Sequence, residues 1–212
     1  MKYPREMHLP YPQPWEWIKD NISFEDEDLF YVDIGANDGI TVSNTAYFEM
    51  DMGWKGICIE PHPTAFEKLE QSRPNSINLN ICISDEDGVV DFLSIDGYSE
   101  MLSGIQKHYH PNHIDRINRE ISQKGGTKQT LKIISKTLKN VLNENNVEKV
   151  DYLSIDTEGS EYQILNSIDF DSVDIRVIST ENSSKKDIKG FLDSKGYNLA
   201  TICCGDEIYY RR

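Results

Sequence analysis

Four acidic side chains stand where β-rich runs end: Glu60 closes the run 56–60, Asp156 closes 151–156 with Glu158 two residues on, and Glu181 follows 175–180. A carboxylate in such a place can accept hydrogen bonds from a ribose diol, take the proton of a hydroxyl, or ligate a hard divalent cation. In an open α/β sheet the carboxyl ends of the strands border the ligand crevice, so all four acids are expected on one edge. A single such acid is commonly a helix cap or a solvated loop charge, and it is their convergence that argues for a site.

The run 31–39, YVDIGANDG, takes the chain from a buried strand through a small-residue turn toward a helix. Gly35 and Gly39 permit close backbone approach, and a helix N-terminus favours a carboxylate or phosphate. Glu60 lies 21 residues beyond Gly39, where an acid can bind both ribose hydroxyls. A nicotinamide dinucleotide prefers GxGxxG, which this turn lacks, whereas DxGxxxG followed by an acid suits S-adenosyl-L-methionine. Taken alone the turn is also compatible with an ordinary tight connection that holds no ligand.

With that donor the sulfonium already activates the methyl carbon, and the protein has to align an oxygen and accept its proton. Asp156 and Glu158 are the candidates. His108, His110 and His113 lie in a polar segment that could close over the site, and His110 is taken as the candidate imidazole, although histidines in such segments are often plain surface residues. Asp156, Glu158 and Glu181 could alternatively hold Mg2+, with water or a sugar diol completing its shell.

The elements that must position these groups follow from periodicity. Residues 29–34, 56–60, 78–83, 151–156 and 175–180 read as strands. Helical stretches lie between them: 45–52, a helix opened by a Thr64-x-x-Glu67 capping box, another opened by Ser160-x-x-Gln163, and 184–195. Residues 197–203 and 207–210 form a closing hairpin across Gly205-Asp206. The expected fold is α/β, a seven-stranded sheet, mostly parallel with an antiparallel last strand and helices on both faces. Residues 89–93 and 130–134 add strands that bracket a polar insertion, 96–128, of the length expected of a lid or binding loop. Residues 1–28 make an irregular arm, 1–12, and a helix over 14–22, and the whole of 1–212 is expected to be one domain.

Composition narrows the partners. A net charge of −14 would repel a phosphate backbone, so nucleic acid is not expected. Residues 106–139 carry eight Lys or Arg against Asp115 and Glu120, either a solvated basic face or a site for an anionic group. Cys58, Cys82, Cys203 and Cys204 include no CxxC pair, so neither disulfides nor structural zinc is expected. No apolar run is long enough to span a membrane and the prolines near Met1 do not suit a signal peptide, so the chain is expected to be cytoplasmic.

Four stretches together, DIGANDG (33–39), GWKGICIEPHP (53–63), SGI (103–105) and DYLSIDTEGSE (151–161), make the chain resemble the FkbM family of methyltransferases from about residue 31 to residue 196. The resemblance implies a class I, Rossmann-like methyltransferase fold, S-adenosyl-L-methionine as donor and O-methylation of natural products or glycans. Carried over by position, Asp33, Gly35, Asn37 and Gly39 would line the methionine end of the cofactor, Glu60 would hold its ribose, and Ser84 and Asp85 would lie near adenine. Asp156 and Glu158 would face the methyl group and the acceptor. A sugar or glycan hydroxyl is the leading acceptor. A polyketide or lipid-like alcohol and a non-catalytic cofactor-binding module are the alternatives. The oligomeric state is not legible.

Overall fold

The computed structural model describes residue 3, residues 13–182 and residues 186–211. Its central sheet has seven strands in the order β10-β11-β9-β8-β1-β2-β3. They are β1 (Phe30–Ile34), β2 (Lys55–Ile59), β3 (Ile77–Leu79), β8 (Lys149–Ile155), β9 (Asp174–Glu181), β10 (Asn198–Cys203) and β11 (Asp206–Tyr210). Strands β1, β2, β3, β8 and β9 run parallel, and β11 is antiparallel to both β9 and β10. The expected mostly parallel sheet with an antiparallel last strand is therefore present.

The pleat sends alternate residues of each strand to opposite faces. Val32, Ile34, Ile57, Ile59, Leu153 and Ile155 join α5 (Leu138–Glu144), α6 (Glu161–Asn166) and α7 (Ile188–Ser194) in one core. Tyr31, Cys58, Tyr152 and Val177 face the other way, toward α1 (Pro14–Asn21), α2 (Ala46–Met50) and α3 (Pro63–Ser72). Burying each such aliphatic side chain contributes about 1.5–3 kcal/mol, which fixes the register of the strands and hence the height of their acidic ends. Cys58, Cys82 and Cys203 are buried thiols and Cys204 is an exposed one.

A second sheet, β4-β7-β5-β6, stands beside the first. Its long pair, β5 (Gly88–Asp96) and β7 (Thr127–Lys136), is antiparallel from Gly88 opposite Ser135 to Asp96 opposite Thr127. The single strand expected over 78–83 is in fact two. β3 ends at Leu79, and the Asn80 side chain donates to the carbonyls of Glu60 and Pro61. The chain then re-enters pairing as β4 (Cys82–Ile83) in the second sheet. Hydrogen-bonding capacity at Asn80 is spent on the end of β2, which breaks an apolar run that reads as continuous.

Two further expectations are corrected. Helix α3 starts at Pro63, and its cap is His62, whose Nδ1 accepts from the amide of Ala65, in place of the Thr64 capping box. Ser160 is the N-cap of α6 but makes no cap bond, its hydroxyl being engaged by His108. The polar insertion holds β6 (Gly104–Ile105) and the helix α4 (Pro111–Lys124). Ile95, Leu102, Tyr109 and Ile117 give it a small core of its own. Of the arm expected over 1–12 only Tyr3 is described, packed edge-on against Trp15, and the first two residues of the helix expected over 184–195 also lie outside the described residues. Much of the basic segment is neutralised by ion pairs, Lys107 with Asp85, Lys132 with Asp91 and Lys139 with Asp169 among them. No helix of the described residues is long and apolar enough to cross a membrane.

Candidate active site

The carboxyl ends of β1, β2 and β8 open into a cleft of about 690 Å³, including the open solvent at its mouth. Gly35, at φ 89°, brings β1 against β8: a Cβ there would lie 1.7 Å from the carbonyl oxygen of Asp156. At Gly39 a Cβ would lie 2.5 Å from Ser72 Oγ, so the chain's own packing already requires glycine at both positions. Gly35 and Asn37 line the cleft. Gly39 is turned toward α3, its carbonyl accepting a hydrogen bond from Arg73.

Glu60 is the hub of this half. One carboxylate oxygen accepts from the amide of Asn37 at 2.8 Å and the other from the amide of His62 at 2.7 Å. The side chain is buried in the cleft wall, and burial pushes its pKa up to about 7 against the pull of those two amides. Each oxygen keeps a lone pair for a further donor. His62 Nε2 meets Ser94 Oγ and the carbonyl of Ile95, tying the end of β2 to β5. Asp33 accepts from the Thr45 hydroxyl at 2.6 Å, and its pKa is raised by burial despite the nearby Arg73. Arg73 itself is fully buried and donates to Glu49, Gly39, Tyr31 and Thr45.

At the far end the cleft is apolar, with Ile81, Cys82, Ile83, Phe92 and Ile105 in its wall. Ser84 and Asp85 stand just beyond that wall. The Ser84 hydroxyl donates to Asp85, which, against the effect of partial burial, is held low by this bond, its own amide, Lys107 and His108. Ser103, of the SGI stretch, accepts from the amide of Ile95 and donates to the carbonyl of Glu100.

The other half gathers acids that have few donors. Asp156, Glu158 and Glu181 present oxygens within 4.8 Å of one another. Asp156 is reachable from the mouth but enclosed by protein on its other sides. That enclosure, reinforced by Glu158, Asp206, Glu181 and Glu161, raises its pKa well above the ordinary carboxylate range. Burial, then the charge of Glu181, pushes Glu158 up to about 8, and Glu181 is raised for the same kinds of reason. Glu158 also adopts φ 57°, a left-handed conformation that is uncommon for a side chain of its size and recurs at functional sites.

The histidines divide by role. His110 is exposed and caps α4 by accepting from the amide of Asn112, so it is not the imidazole beside the acids. His113 Nδ1 lies 3.5 Å from Glu158 Oε2, and His108 Nδ1 lies 2.8 Å from Ser160 Oγ. Sequence reading missed Arg73 and the cap at His62. For this cap the signal was available, since Pro63 suits the first helical position and so puts residue 62 at the N-cap.

A buried acid with lone pairs to spare beside an apolar slot, and a polar end at Asn37 and Asp156, fit a nucleoside carrying an amino-acid tail. The family model for the methyltransferase FkbM domain matches residues 33–199. The crystal structure of methyltransferase FkbM from Methylobacillus flagellatus KT superposes with a TM-score of 0.53 at 12% identity, over 94% of this chain and 48% of that one. The N-terminal domain of human METTL16 gives 0.48 at 13% identity, over 93% and 66%. This chain thus spans about half the length of the FkbM methyltransferase it matches. No curated protein matches it in sequence. The chain belongs to the FkbM family of S-adenosylmethionine-dependent methyltransferases.

Proposed function

We propose that the chain is an O-methyltransferase acting on a hydroxyl of a sugar or glycan. The observation that carries this reading is the presence in one cleft of Glu60, poised for a ribose, and of Asp156 and Glu158, two carboxyls whose surroundings raise their affinity for a proton. S-adenosylmethionine supplies a methyl group already activated on its sulfonium, so alignment and proton acceptance are what remain for the chain.

Glu60 and Asn37 bind and orient the donor, and the apolar wall from Ile81 to Ile83 receives its base. Asp156, in the cleft lining, accepts from a hydroxyl next to the reacting one and so aims the acceptor. As the reacting oxygen would take the methyl group from the sulfonium, whose carbon–sulfur bond breaks to leave S-adenosylhomocysteine, its proton would pass to the ionised form of Glu158. An acid whose pKa lies near the working pH is suited to this task, and the open mouth lets the proton leave to water. Neighbouring acids, Glu181 and Asp206, can accept from vicinal hydroxyls, which favours a polyol.

Met101 lies in the cleft wall and is 48% exposed, which favours the second reading, a polyketide or lipid-like alcohol. The spacing of Asp156, Glu158 and Glu181 also supports magnesium binding, with the same residues serving as ligands. A methyl-transfer screen over monosaccharide glycosides, nucleotide sugars and long-chain alcohols, run with and without chelator, separates these readings. Transfer to the sugars regardless of chelator supports the proposal. Transfer to the alcohols alone replaces the acceptor, loss on chelation restored by magnesium replaces the proton-acceptor role, and no turnover with intact donor binding leaves a binding module.

A further inference from the structure

We propose that His113 is a positioning residue for methyl transfer: from α4 of the insertion, its Nδ1 holds the Glu158 carboxyl in the cleft. The proposal rests on the reading of Glu158 as the proton acceptor, and assigns to the insertion a part in assembling that group.

The ring is fixed on its remaining edges. Its Nε2 lies 3.2 Å from the carbonyl oxygen of Leu102, which also accepts the Tyr109 hydroxyl at 2.8 Å. Tyr109 packs over the imidazole with ring centroids 4.6 Å apart. A carbonyl can only accept, so Nε2 carries the hydrogen and Nδ1 is an acceptor: it takes its hydrogen bond from the protonated Glu158 carboxyl, and as that proton passes to Nδ1 the carboxyl becomes free to accept the proton of the reacting hydroxyl. The two side chains are 11% and 17% exposed, so little water competes for the contact.

The loop after β8 is shaped to receive the insertion at successive residues. Thr157 offers its carbonyl 3.2 Å from where a Cβ on Gly104 would lie, and Glu158 holds the left-handed conformation already described. A Cβ on Gly159 would lie 3.1 Å from the carbonyl of His108, and Ser160 pairs with the His108 ring. Leu102 and Tyr109 would suffice to dock α4. They do not account for a polar ring edge turned toward the one carboxyl whose backbone is strained.

Two amide substitutions divide the ring's contacts. Asparagine at 113 puts its amide where Nδ1 lies, and glutamine reaches the place of Nε2. In protein labelled with 13C-glutamate, the Glu158 carboxyl resonance is assigned by its loss in Glu158→Gln. We expect that resonance to move in His113→Gln and to stay near its wild-type position in His113→Asn. If both variants leave it in place, or both displace it equally, the proposal is overturned. The spectra are recorded without ligand, so a separate failure of S-adenosylhomocysteine to bind the wild type would count against the reading of the cleft and not against the role of His113.

Discussion

The two halves of the cleft treat their carboxylates in opposite ways. In the donor half, Glu60 accepts from two backbone amides, and Asp33 from a hydroxyl that Arg73 holds in turn. In the acceptor half, the side chains of Asp156 and Glu181 make no hydrogen bond among the described residues, and Glu158 lies against His113 with the charge of Arg116 nearby. An acid fixed by backbone donors with lone pairs to spare serves as a rigid acceptor of ligand hydroxyls, while one crowded by other acids is disposed to take up a proton. On the function proposed above, the same sheet edge separates binding from chemistry by the supply of donors.

The sharpest way to test that separation is to remove the insertion. Gly97 and Gly126 sit side by side where Asp96 pairs with Thr127, so excising 98–125 leaves a Gly-Gly turn between β5 and β7. We predict loss of methyl transfer with S-adenosylhomocysteine binding weakened but retained, since Met101, Ser103 and Ile105 leave the wall while Glu60 and Asn37 stay. Calorimetry and a turnover assay check this, and full turnover in the excised protein would contradict it.

Next in size is Arg73. Replacing it with Met strands the buried Glu49 carboxylate and should cost about 3–5 kcal/mol of stability in a denaturant titration. A loss under about 1 kcal/mol would show that the donor half is not organised by this charge. In the acceptor half, Asp156→Asn and Glu158→Gln should each lower turnover by ~10² or more while the proteins stay folded. Unchanged rates would move the chemistry elsewhere.

A smaller effect concerns pH. Glu158 and Glu60 have folded pKa values, about 8 and about 7, above the ordinary 4.5. The folded state therefore binds more protons than the unfolded one across that window, and the contribution of these acids to stability is present below it and is lost as pH rises through it. The fall in melting temperature between about pH 5 and pH 8 should be shallower in Glu158→Gln than in the wild type. Parallel curves would count against a protonated Glu158.

The strands of the central sheet were legible because Val, Ile and Tyr runs end in turn residues, and the acidic strand ends followed from the strands. The division of 78–83 was hidden, because Asn80 sits among apolar neighbours and its partners, the carbonyls of Glu60 and Pro61, are distant in sequence. Helix α4 left a signal that went unread: Pro111 at its start, Ile114, Ile117 and Ile121 at helical spacing, and Gly125 at its end. A strongly polar composition masked it, and with it the choice between His110 and His113, which depends on which way a helix face turns. Arg73 could not have been found, since a lone arginine after a helix says nothing of burial and its partner Glu49 lies 24 residues earlier.

The central claim, that one half of the cleft binds the donor and the other reacts, is tested most directly by titrating S-adenosylhomocysteine into three proteins by calorimetry. The wild type should bind, Glu60→Ala should bind more weakly by about 1.5–3 kcal/mol for its lost charged hydrogen bonds, and Glu158→Gln should match the wild type. No binding to the wild type, or equal weakening in both variants, would contradict the account.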